Sequence, residues 1–427
     1  MNPIKEVLKR QRGIASYCTS NELVLEACME EAGKDGYVLV EATANQVNQF
    51  GGYTGMNAAD FVKYAERIAE RSNLPKGKLL LGGDHLGPLV WSSEPEETAM
   101  EKAEQLVREF VQAGFQKIHL DTSMRLGDDD SSKPLSTETI AKRGVRLYRA
   151  AMDGFEERKR QDPKAELPVF IIGSEVPIPG GSQEAEESVQ VTKPEAFEET
   201  VEVYKRVFDK AGFTDAFEHI IAVVVQPGVE FGDSSVCEYD RGKAEKLTKA
   251  LQNHPGFIFE GHSTDYQKET SLREMAEDGI AILKVGPALT FALREGLFQL
   301  EAMEKELYPE YQCSHFSMIL EQVMLEQPGN WKKHYNGTEE EKHLARKYSY
   351  SDRCRYYIGD ERVGQAMEHL FRNLDNKTPS DSMLHQYMPE QYRMVRDGTL
   401  PREAKALAKA AVRQVVAEYQ KSVGARN

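Results

Sequence analysis

A pair of segments repeats through the first 290 or so residues of this chain. A short run rich in Val, Ile, Leu or Phe ends in a polar turn, and a charged amphipathic stretch follows. The apolar runs are predicted strands at residues 13–18, 37–41, 78–82, 117–121, 168–173, 220–225, 256–260 and 281–285. Predicted helices separate them at residues 22–31, 58–71, 98–113, 137–160, 193–210, 241–252 and 270–277. Strands that alternate with helices indicate parallel β/α units.

Eight strands in this order predict an α/β fold, the TIM (β/α)8 barrel, which takes up about 250 residues as one unit. The alternative is an open doubly wound sheet. No G-x-G-x-x-G motif follows the first predicted strand, so the sequence lacks the fingerprint of the dinucleotide-binding form of that sheet. We therefore assign residues 1–300 to a barrel, with the active-site rim at the carboxyl ends of its strands.

From residue 301 the sequence loses its strand-like runs, and residues 301–427 are predicted to form a helical C-terminal region. Predicted helices lie at residues 316–326, 338–348, 361–373 and 402–422. Thr338 and Glu341 have the spacing of a capping box at the start of the second of these helices. The pattern leaves open whether this region covers the site or forms a subunit contact.

Composition narrows the class of protein. The formal net charge is −15, which argues against a general nucleic-acid binder and means that an anionic substrate needs local donors. No stretch approaches the roughly 20 apolar residues of a membrane span, and the N-terminus lacks the apolar core of a secretory signal. The five cysteines form no C-x-x-C pair. We expect a cytoplasmic protein that contacts neither membrane nor nucleic acid.

The predicted strand ends are unusually polar. Seven of the eight carry a carboxylate, imidazole, amide or ammonium group. An unpaired buried polar group costs about 1–3 kcal/mol, so a structural protein has no reason to gather so many on one rim. An enzyme or binding site is favoured, because function collects at the strand C-termini of a barrel. The groups we expect to contact substrate are Glu41, Asn48, Gln49, Asp121 and Lys284.

Two histidines on this rim suggest a metal site. Asp84 and His85 follow the third predicted strand, and His262 follows the seventh. With Glu175 or Gln226 they offer three or four ligands for a divalent metal ion such as Zn²⁺. The alternative is that His85 only caps a helix or bonds within the rim. Asp84 and Glu175 are the candidate catalytic carboxylates.

Other charged groups admit a structural interpretation. For Lys284, inside the eighth strand, an ion pair with Glu41, Asp121 or Glu260, or a phosphate contact, is preferred over a Schiff-base nucleophile. His119 is interpreted as a satisfied interior histidine and is left out of the site. Arg353 and Arg355, next to two tyrosines, are interpreted as forming surface ion pairs rather than a phosphate site.

Several long motifs, in a fixed order over nearly the whole chain, carry a family resemblance. They read EATANQVNQFGGYTGM, LGGDHLGP, AGFQKIHLDTSM, GSEVPIPGG, VVVQPGVEF, HSTDYQ, LKVGPALTFALRE, VMLEQPGNWKKHY and YSYSDRCRYY. In these segments the chain resembles the Z-subunit family of class II D-tagatose-1,6-bisphosphate aldolase, the GatZ and KbaZ type. The resemblance implies a TIM barrel and a role in ketohexose-phosphate metabolism.

The resemblance implies three possible functions. Family members have been described as non-catalytic subunits that stabilise a separate catalytic aldolase subunit, and related proteins as C4-epimerases of tagatose and fructose or their 6-phosphates. Metal-assisted aldol chemistry at C3–C4 is the third function. Compared with class II aldolases, Asp84 and His85 match their Asp-His pair, whereas Gln226 stands at a zinc histidine's place. Glu260 stands at another such place, with His262 two residues later.

Overall fold

Eight parallel strands close into a barrel, as predicted, which excludes the open sheet. The computed structural model describes residues 2–33, 36–174 and 189–424. Around the barrel the hydrogen-bonded order is β1-β10-β9-β6-β5-β4-β3-β2. The barrel strands are β1 (Ile14–Tyr17), β2 (Val38–Thr43), β3 (Leu79–Leu86), β4 (Lys117–Leu120), β5 (Val169–Ile172), β6 (Ile220–Val225), β9 (Ile258–Gly261) and β10 (Ile280–Val285). A small hairpin of β7 (Glu230–Phe231) and β8 (Val236–Cys237), which the sequence analysis did not predict, follows β6.

Helices cover the outside of the barrel and form the C-terminal region. They are α1 (Pro3–Arg10), α2 (Glu22–Ala32), α3 (Ala58–Arg71), α4 (Glu96–Ala113), α5 (Thr137–Gln161), α6 (Pro194–Lys210), α7 (Arg241–Ala250), α8 (Glu269–Glu277), α9 (Pro287–Leu307), α10 (Phe316–Glu326), α11 (Glu339–Tyr348), α12 (Glu361–Asn376), α13 (Asp381–Tyr387), α14 (Pro389–Arg396) and α15 (Ala404–Val423). The predicted capping box of α11 is confirmed: Glu341 N donates to Thr338 Oγ1, and Thr338 N donates to a Glu341 carboxylate oxygen.

The barrel interior has an apolar lower half, which a helix closes from below. Side chains that alternate inward along the strands form this half, namely Ile14, Leu39, Leu80, Val169, Ile171, Ala222, Val224 and Ile282. Ile4 and Val7 of α1 pack against them from the amino-terminal end of the barrel. Asn2 holds α1 in place, because its Nδ2 donates to the carbonyls of Gln116 and Leu167 and its Oδ1 caps Ile4 N. The sequence analysis did not predict this closing helix.

The last helix belongs to the ring around the barrel. α15 packs against α2, α8 and α9 and reaches β1. Buried Glu26 of α2 lies 3.2 Å from both Lys405 and Lys409 of α15. The backbone N–H groups of Arg12 and Gly13, just before β1, donate to the last carbonyls of this segment. The division at residue 300 stays a prediction, but the C-terminal region contributes one of the helices that cover the barrel.

Across residues 2–33, 36–174 and 189–424, none of the helices combines the length and the apolar character that a bilayer crossing requires.

Candidate active site

Above the apolar half, the barrel interior is charged. Lys117 Nζ lies 2.9 Å from Glu41 Oε2 and 2.7 Å from Glu260 Oε2. Lys284 Nζ lies 3.0 Å from Glu41 Oε2, 2.5 Å from Asp84 Oδ1 and 3.8 Å from Glu260 Oε1. All of these side chains are buried. The predicted ion pairs of Lys284 with Glu41 and Glu260 are confirmed, and Asp84 takes the place expected for Asp121.

Three imidazoles and a carboxylate meet directly above this layer. Asp84, His85, His119 and His262 are all buried, and each offers one ligand atom within 4.8 Å of the others. The ring centroids of His85 and His262 are 4.8 Å apart, and those of His119 and His262 are 5.4 Å apart. We call these four residues the histidine cluster. It lies at the carboxyl ends of β3, β4 and β9, where the sequence analysis placed the active site.

A local break in β3 brings two neighbouring residues into the cluster. Consecutive side chains of a regular strand point to opposite faces of the sheet. His85 instead has a positive φ of 46°, and the pairing of β3 with β4 shifts register between Gly83 and Leu86. Asp84 and His85 therefore both reach the interior. A left-handed conformation at a non-glycine residue is strained, and such strain is concentrated at functional sites.

A glycine allows close packing beside His85. A Cβ atom on Gly87 would lie 1.7 Å from the carbonyl oxygen of Asp121, a distance that no side chain can occupy. The missing side chain thus lets the β3 and β4 ends approach each other. Asp121 is thereby close enough for its Oδ2 to lie 2.7 Å from His85 Nδ1.

A different carboxylate holds each imidazole by one ring nitrogen. Asp121 Oδ2 holds His85 Nδ1, Asp84 Oδ1 lies 3.2 Å from His119 Nδ1, and Glu260 Oε1 lies 2.9 Å from His262 Nε2. Among the described residues, the opposite ring nitrogen of each histidine has no hydrogen-bond partner and could bind a ligand. Histidines that coordinate metals almost always have their second nitrogen held in this way.

Nearby charges keep the carboxylates of Asp84 and Glu260 ionised. Burial raises the pKa of Asp84, but the charges of His85 and Lys284 outweigh it and leave that pKa well below its usual range. Burial likewise raises the pKa of Glu260. The charges of Lys117 and Lys284 outweigh this effect, so the pKa of Glu260 is also well below its ordinary value. Both groups are therefore hydrogen-bond acceptors at neutral pH.

The pKa values of His85 and His262 shift in opposite directions. Burial lowers the pKa of His262 to about 3, so this ring is neutral at neutral pH. Burial also lowers the pKa of His85, but Asp84 and Asp121 outweigh it and the net shift is upward. The two rings are only 4.8 Å apart, and their opposite shifts follow from the two carboxylates beside His85.

The donor set fits a divalent metal ion. His119 Nε2 is buried without a hydrogen-bond partner among the described residues, an unfavourable state for a polar atom unless something binds it. Four buried carboxylates also face only two buried ammonium groups. These groups are Glu41, Asp84, Asp121, Glu260, Lys117 and Lys284. His85, His119, His262 and Asp84 could hold the ion.

One predicted ligand, Gln226, makes hydrogen bonds within its own turn. Gln226 Oε1 accepts hydrogen bonds from the backbone N–H groups of Gly228, at 2.8 Å, and Val229, at 3.0 Å, in the turn after β6. Among the described histidine, cysteine, aspartate and glutamate residues, the possible metal ligands include His119. Glu175 lies outside the described residues, so its predicted roles as ligand and as catalytic carboxylate stay predictions.

The predicted substrate-binding residues are divided between the site and its support. Lys284 lines the cavity above the cluster. Glu41 is enclosed by the two lysines and Ser16, whose Oγ donates to Glu41 Oε1 at 2.6 Å. Asn48 Oδ1 accepts from the N–H groups of its own loop, and Gln49 Nε2 donates to a carbonyl of α4. Asp121 holds His85. Direct substrate contact by these residues stays a prediction.

A cavity of about 120 Å³ opens from the cluster toward the C-terminal region, and we call it the inner cavity. Its lining includes Asp84, His85 and His262 as well as Tyr53, Arg355 and Tyr356. The prediction of surface ion pairs for Arg353 and Arg355 is wrong. Arg353 is buried and donates to the carbonyl of Asn330, while Arg355 lines the cavity. The C-terminal region folds over the barrel mouth, and this long-range contact decides their environment.

Sequence reasoning missed two members of the site. His119 was left out because a lone interior histidine is usually only a packed residue; its two-residue spacing from Asp121 was the available signal. Lys117 was missed because a lysine at the start of a strand looks like an exposed end. It is fully buried, and only the closed barrel places it between Glu41 and Glu260.

The chain was then compared with known proteins. A model of the family described as D-tagatose-1,6-bisphosphate aldolase subunit GatZ/KbaZ-like matches residues 4–424. A crystal structure described as a probable tagatose 6 phosphate kinase from Sinorhizobium meliloti 1021 is 43% identical, with a TM-score of 0.87, over 96% of this chain and 100% of that one.

More distant structures also match. The native fructuronate-tagaturonate epimerase UxaE from Cohnella laeviribosi is 13% identical, with a TM-score of 0.46, over 98% of this chain and 82% of that one. The YdjI aldolase from Escherichia coli K12 is 12% identical, with a TM-score of 0.40, over 86% and 97%. At these values neither structure carries an argument about function. The family match covers almost every residue, and the chain belongs to the D-tagatose-1,6-bisphosphate aldolase subunit GatZ/KbaZ-like family.

Proposed function

We propose that this chain is a metal-dependent enzyme that reversibly breaks the C3–C4 bond of a ketohexose or ketohexose phosphate at the histidine cluster. One observation carries the proposal: three buried imidazoles, each held by its own carboxylate, surround Asp84 at the carboxyl end of the barrel. A subunit that only stabilised a partner would have no use for this arrangement. Family membership supports the choice of sugar.

His85, His119 and His262 would hold the metal through the ring nitrogens that no carboxylate occupies. A divalent ion such as Zn²⁺, when bound, would supply Lewis acidity toward the C2 carbonyl of the sugar. The buried excess of negative charge favours a dication over a monovalent ion. Asp121 and Glu260 orient the rings to which they bond, as carboxylates beside metal-bound histidines do.

Asp84 is the proposed proton acceptor. Its Oδ1 is occupied by Lys284 and His119, whereas the nearest contacts of Oδ2 are Cys18 Sγ and His85 Nε2, both at 3.8 Å. Oδ2 would take the proton of the C4 hydroxyl. The C3–C4 electron pair then becomes part of an enediolate over C2 and C3, and C4 becomes an aldehyde carbon. Glu175, the other predicted carboxylate, is the second candidate for this role.

A specific observation favours C4 epimerisation over net cleavage. Asp84, His85, His262 and Lys284 are each at most 5% exposed, so an aldehyde formed against them is shielded from solvent. Rotation of the retained aldehyde and re-addition of the enediolate would invert C4. Release of both fragments would instead be aldolase activity. The same residues serve both outcomes up to bond cleavage.

The test is nuclear magnetic resonance of the purified chain with Zn²⁺ and each of four substrates: tagatose 1,6-bisphosphate, tagatose 6-phosphate, fructose 6-phosphate and free tagatose. Interconversion of C4 epimers supports an epimerase, and triose products support an aldolase. No turnover by the chain alone, together with faster cleavage when a separate catalytic aldolase subunit is added, would overturn the proposal in favour of a stabilising subunit. The variant Asp84→Asn is the matched control.

A further inference from the structure

An arginine from the C-terminal region faces the same cavity as the histidine cluster. Arg355 lies in a short 3-10 turn, Arg353–Tyr356, between α11 and α12. It lines the inner cavity and also an adjoining cavity of about 750 Å³, which we call the outer cavity. Because both cavities share Arg355, Tyr53 and Tyr356, this arginine lies on the route between solvent and the cluster.

The guanidinium group of Arg355 is held in a fixed position. Its Nη1 donates to the carbonyls of Ser351 and Asp352, and its Nη2 donates to Tyr356 Oη at 3.0 Å. The group also lies over the Tyr356 ring, 4.4 Å from its centroid. Tyr53 packs edge-on against that ring, with centroids 5.3 Å apart. An arginine fixed before a ligand arrives loses little conformational entropy when it binds.

No carboxylate of the described residues lies within 4.0 Å of this guanidinium, although its charge is mostly enclosed by protein. Asp352 is the nearest acidic residue in sequence, and both of its oxygens are engaged elsewhere. Thr290 Oγ1 donates to Asp352 Oδ2 at 2.6 Å, and Arg294 Nε donates to Asp352 Oδ1 at 3.1 Å. The partners of Arg355 are thus neutral oxygens, which leave its charge available to an anion.

The rest of the cavity determines where an anion can bind. The cluster end holds an excess of buried carboxylates, which repel a phosphate, and the whole chain is acidic. Asp265 also faces the inner cavity, but its Oδ1 accepts from the N–H groups of Gly286 and Ala288 at the start of α9. Arg355 is therefore the cationic group at the end of the cavity away from the cluster.

From this arrangement we infer that Arg355, fixed by Tyr356, binds the anionic end group of the sugar and selects phosphorylated or carboxylated ketohexoses over neutral ones. The inference rests on the proposed function, because it takes the sugar's reacting end to lie at the histidine cluster. Arg355 is then the residue that sets substrate class, and the C-terminal region contributes to specificity.

Calorimetric titration of the zinc-loaded chain tests this assignment with a ketohexose 6-phosphate, a ketohexuronate and a neutral ketohexose. Loss of a charge-assisted hydrogen bond in Arg355→Met should weaken binding of the 6-phosphate about 10- to 100-fold and leave the neutral sugar unchanged. Arg355→Lys should lie between the wild type and Arg355→Met. If Arg355→Met weakens binding of the 6-phosphate alone, the site is specific for phosphate. If it weakens binding of the uronate equally, the site accepts anions in general.

Arg353→Met is the matched control, since that neighbouring side chain donates to a backbone carbonyl and does not line the inner cavity. It should keep the preference for anionic sugars. Equal binding of charged and neutral sugars by the wild type, or a preference that survives Arg355→Met, would overturn the inference. Binding requires no turnover. A wild type that prefers anions through Arg355 without converting them would refute the proposed function alone.

Discussion

Lys284 and Asp84 are 200 positions apart in the sequence, yet Lys284 Nζ lies 2.5 Å from Asp84 Oδ1 inside the barrel. Burial lowers the pKa of Lys284, but Asp84, Glu41 and Glu260 outweigh it and hold that pKa well above its usual range. The ammonium group therefore stays charged, which makes it a poor Schiff-base nucleophile. Its position indicates that it balances carboxylates beneath the histidine cluster.

Replacing Lys284 with Met should destabilise the fold by about 3–5 kcal/mol, because the change leaves buried carboxylates without their partner. Urea denaturation measures the loss. Lys246→Met, at an exposed position, should change stability by less than about 0.5 kcal/mol. If Lys284→Met were as stable as the control, the ion-pair network would contribute nothing to folding.

Zinc retention should distinguish the histidines of the cluster from Gln226, which the sequence also suggested as a ligand. The dialysed wild type should retain one equivalent of Zn²⁺, and His85→Ala, His119→Ala and His262→Ala should not. Gln226→Ala should retain it, because the Gln226 side chain accepts hydrogen bonds from its own turn. Mass spectrometry of the metal content decides. Retention by His119→Ala with loss by Gln226→Ala would reverse the assignment.

Replacing a carboxylate that orients a histidine should reduce zinc affinity less than removing the histidine itself. Asp121→Asn keeps an oxygen near His85 but weakens the bond that orients the ring, so Zn²⁺ affinity should fall about 10- to 100-fold. Competition with a zinc chelator measures the change. Asp130→Asn, on the exposed loop after β4, is the control and should have no effect. An unchanged affinity in Asp121→Asn would show that His85 needs no orienting carboxylate.

Asp265 should make stability depend on pH. Burial raises its pKa to about 6 from an unfolded value of 3.8, so the folded state favours its protonated form. Its contribution to stability is greatest below pH 4 and is lost as pH rises to about 6, an effect of ~3 kcal/mol. Asp265→Asn keeps the acceptor for Gly286 and Ala288. It should therefore stabilise the protein relative to wild type at pH 7.5 more than at pH 4.5.

Denaturation of both proteins at the two pH values tests this prediction. The quantity to compare is the difference in stability between the two proteins at each pH. Carboxylates with lowered pKa values, such as Asp84 and Glu260, make both proteins less stable in acid. An equal difference at pH 4.5 and pH 7.5 would contradict the assignment to Asp265.

The close approach at Gly87 should not tolerate a methyl group. Gly87→Ala would place Cβ 1.7 Å from the Asp121 carbonyl oxygen, so the ends of β3 and β4 must separate. We expect a loss of about 1–3 kcal/mol in stability and a weaker hold on His85. At Gly329 an added Cβ meets nothing within 4 Å, and Gly329→Ala is the control. Thermal unfolding and zinc affinity are the measurements, and a neutral Gly87→Ala would contradict this packing.

Strand spacing was enough to predict the barrel because parallel β/α units produce a regular alternation of apolar and amphipathic segments in the sequence. The predicted strand at residues 220–225 coincides with β6, and the predicted strand ends do meet on one rim. That reasoning also found His85 and His262, since both lie at the carboxyl ends of strands. It could not find α1, whose role depends on the shape of the barrel's lower opening rather than on any local pattern.

Other features of the site depend on contacts that no local pattern contains. Whether His85 points inward depends on its left-handed conformation, which interrupts the alternation of β3. Arg355 reaches the mouth only because the C-terminal region folds back over the barrel. Lys117 needs Glu41 and Glu260 on other strands to be stable inside. Each of these features follows from tertiary packing. The local sequence pattern predicts the order of the strands, but it does not predict where these side chains point.

The position of α15 has a consequence for how the protein is made. The helix binds α2, α8 and α9, and its end bonds to the backbone of Arg12 and Gly13 just before β1. A ribosome must therefore release residues 404–424 before the first strand acquires its full covering. The barrel should close only after these residues have emerged, and its earliest strands would need protection from aggregation until then.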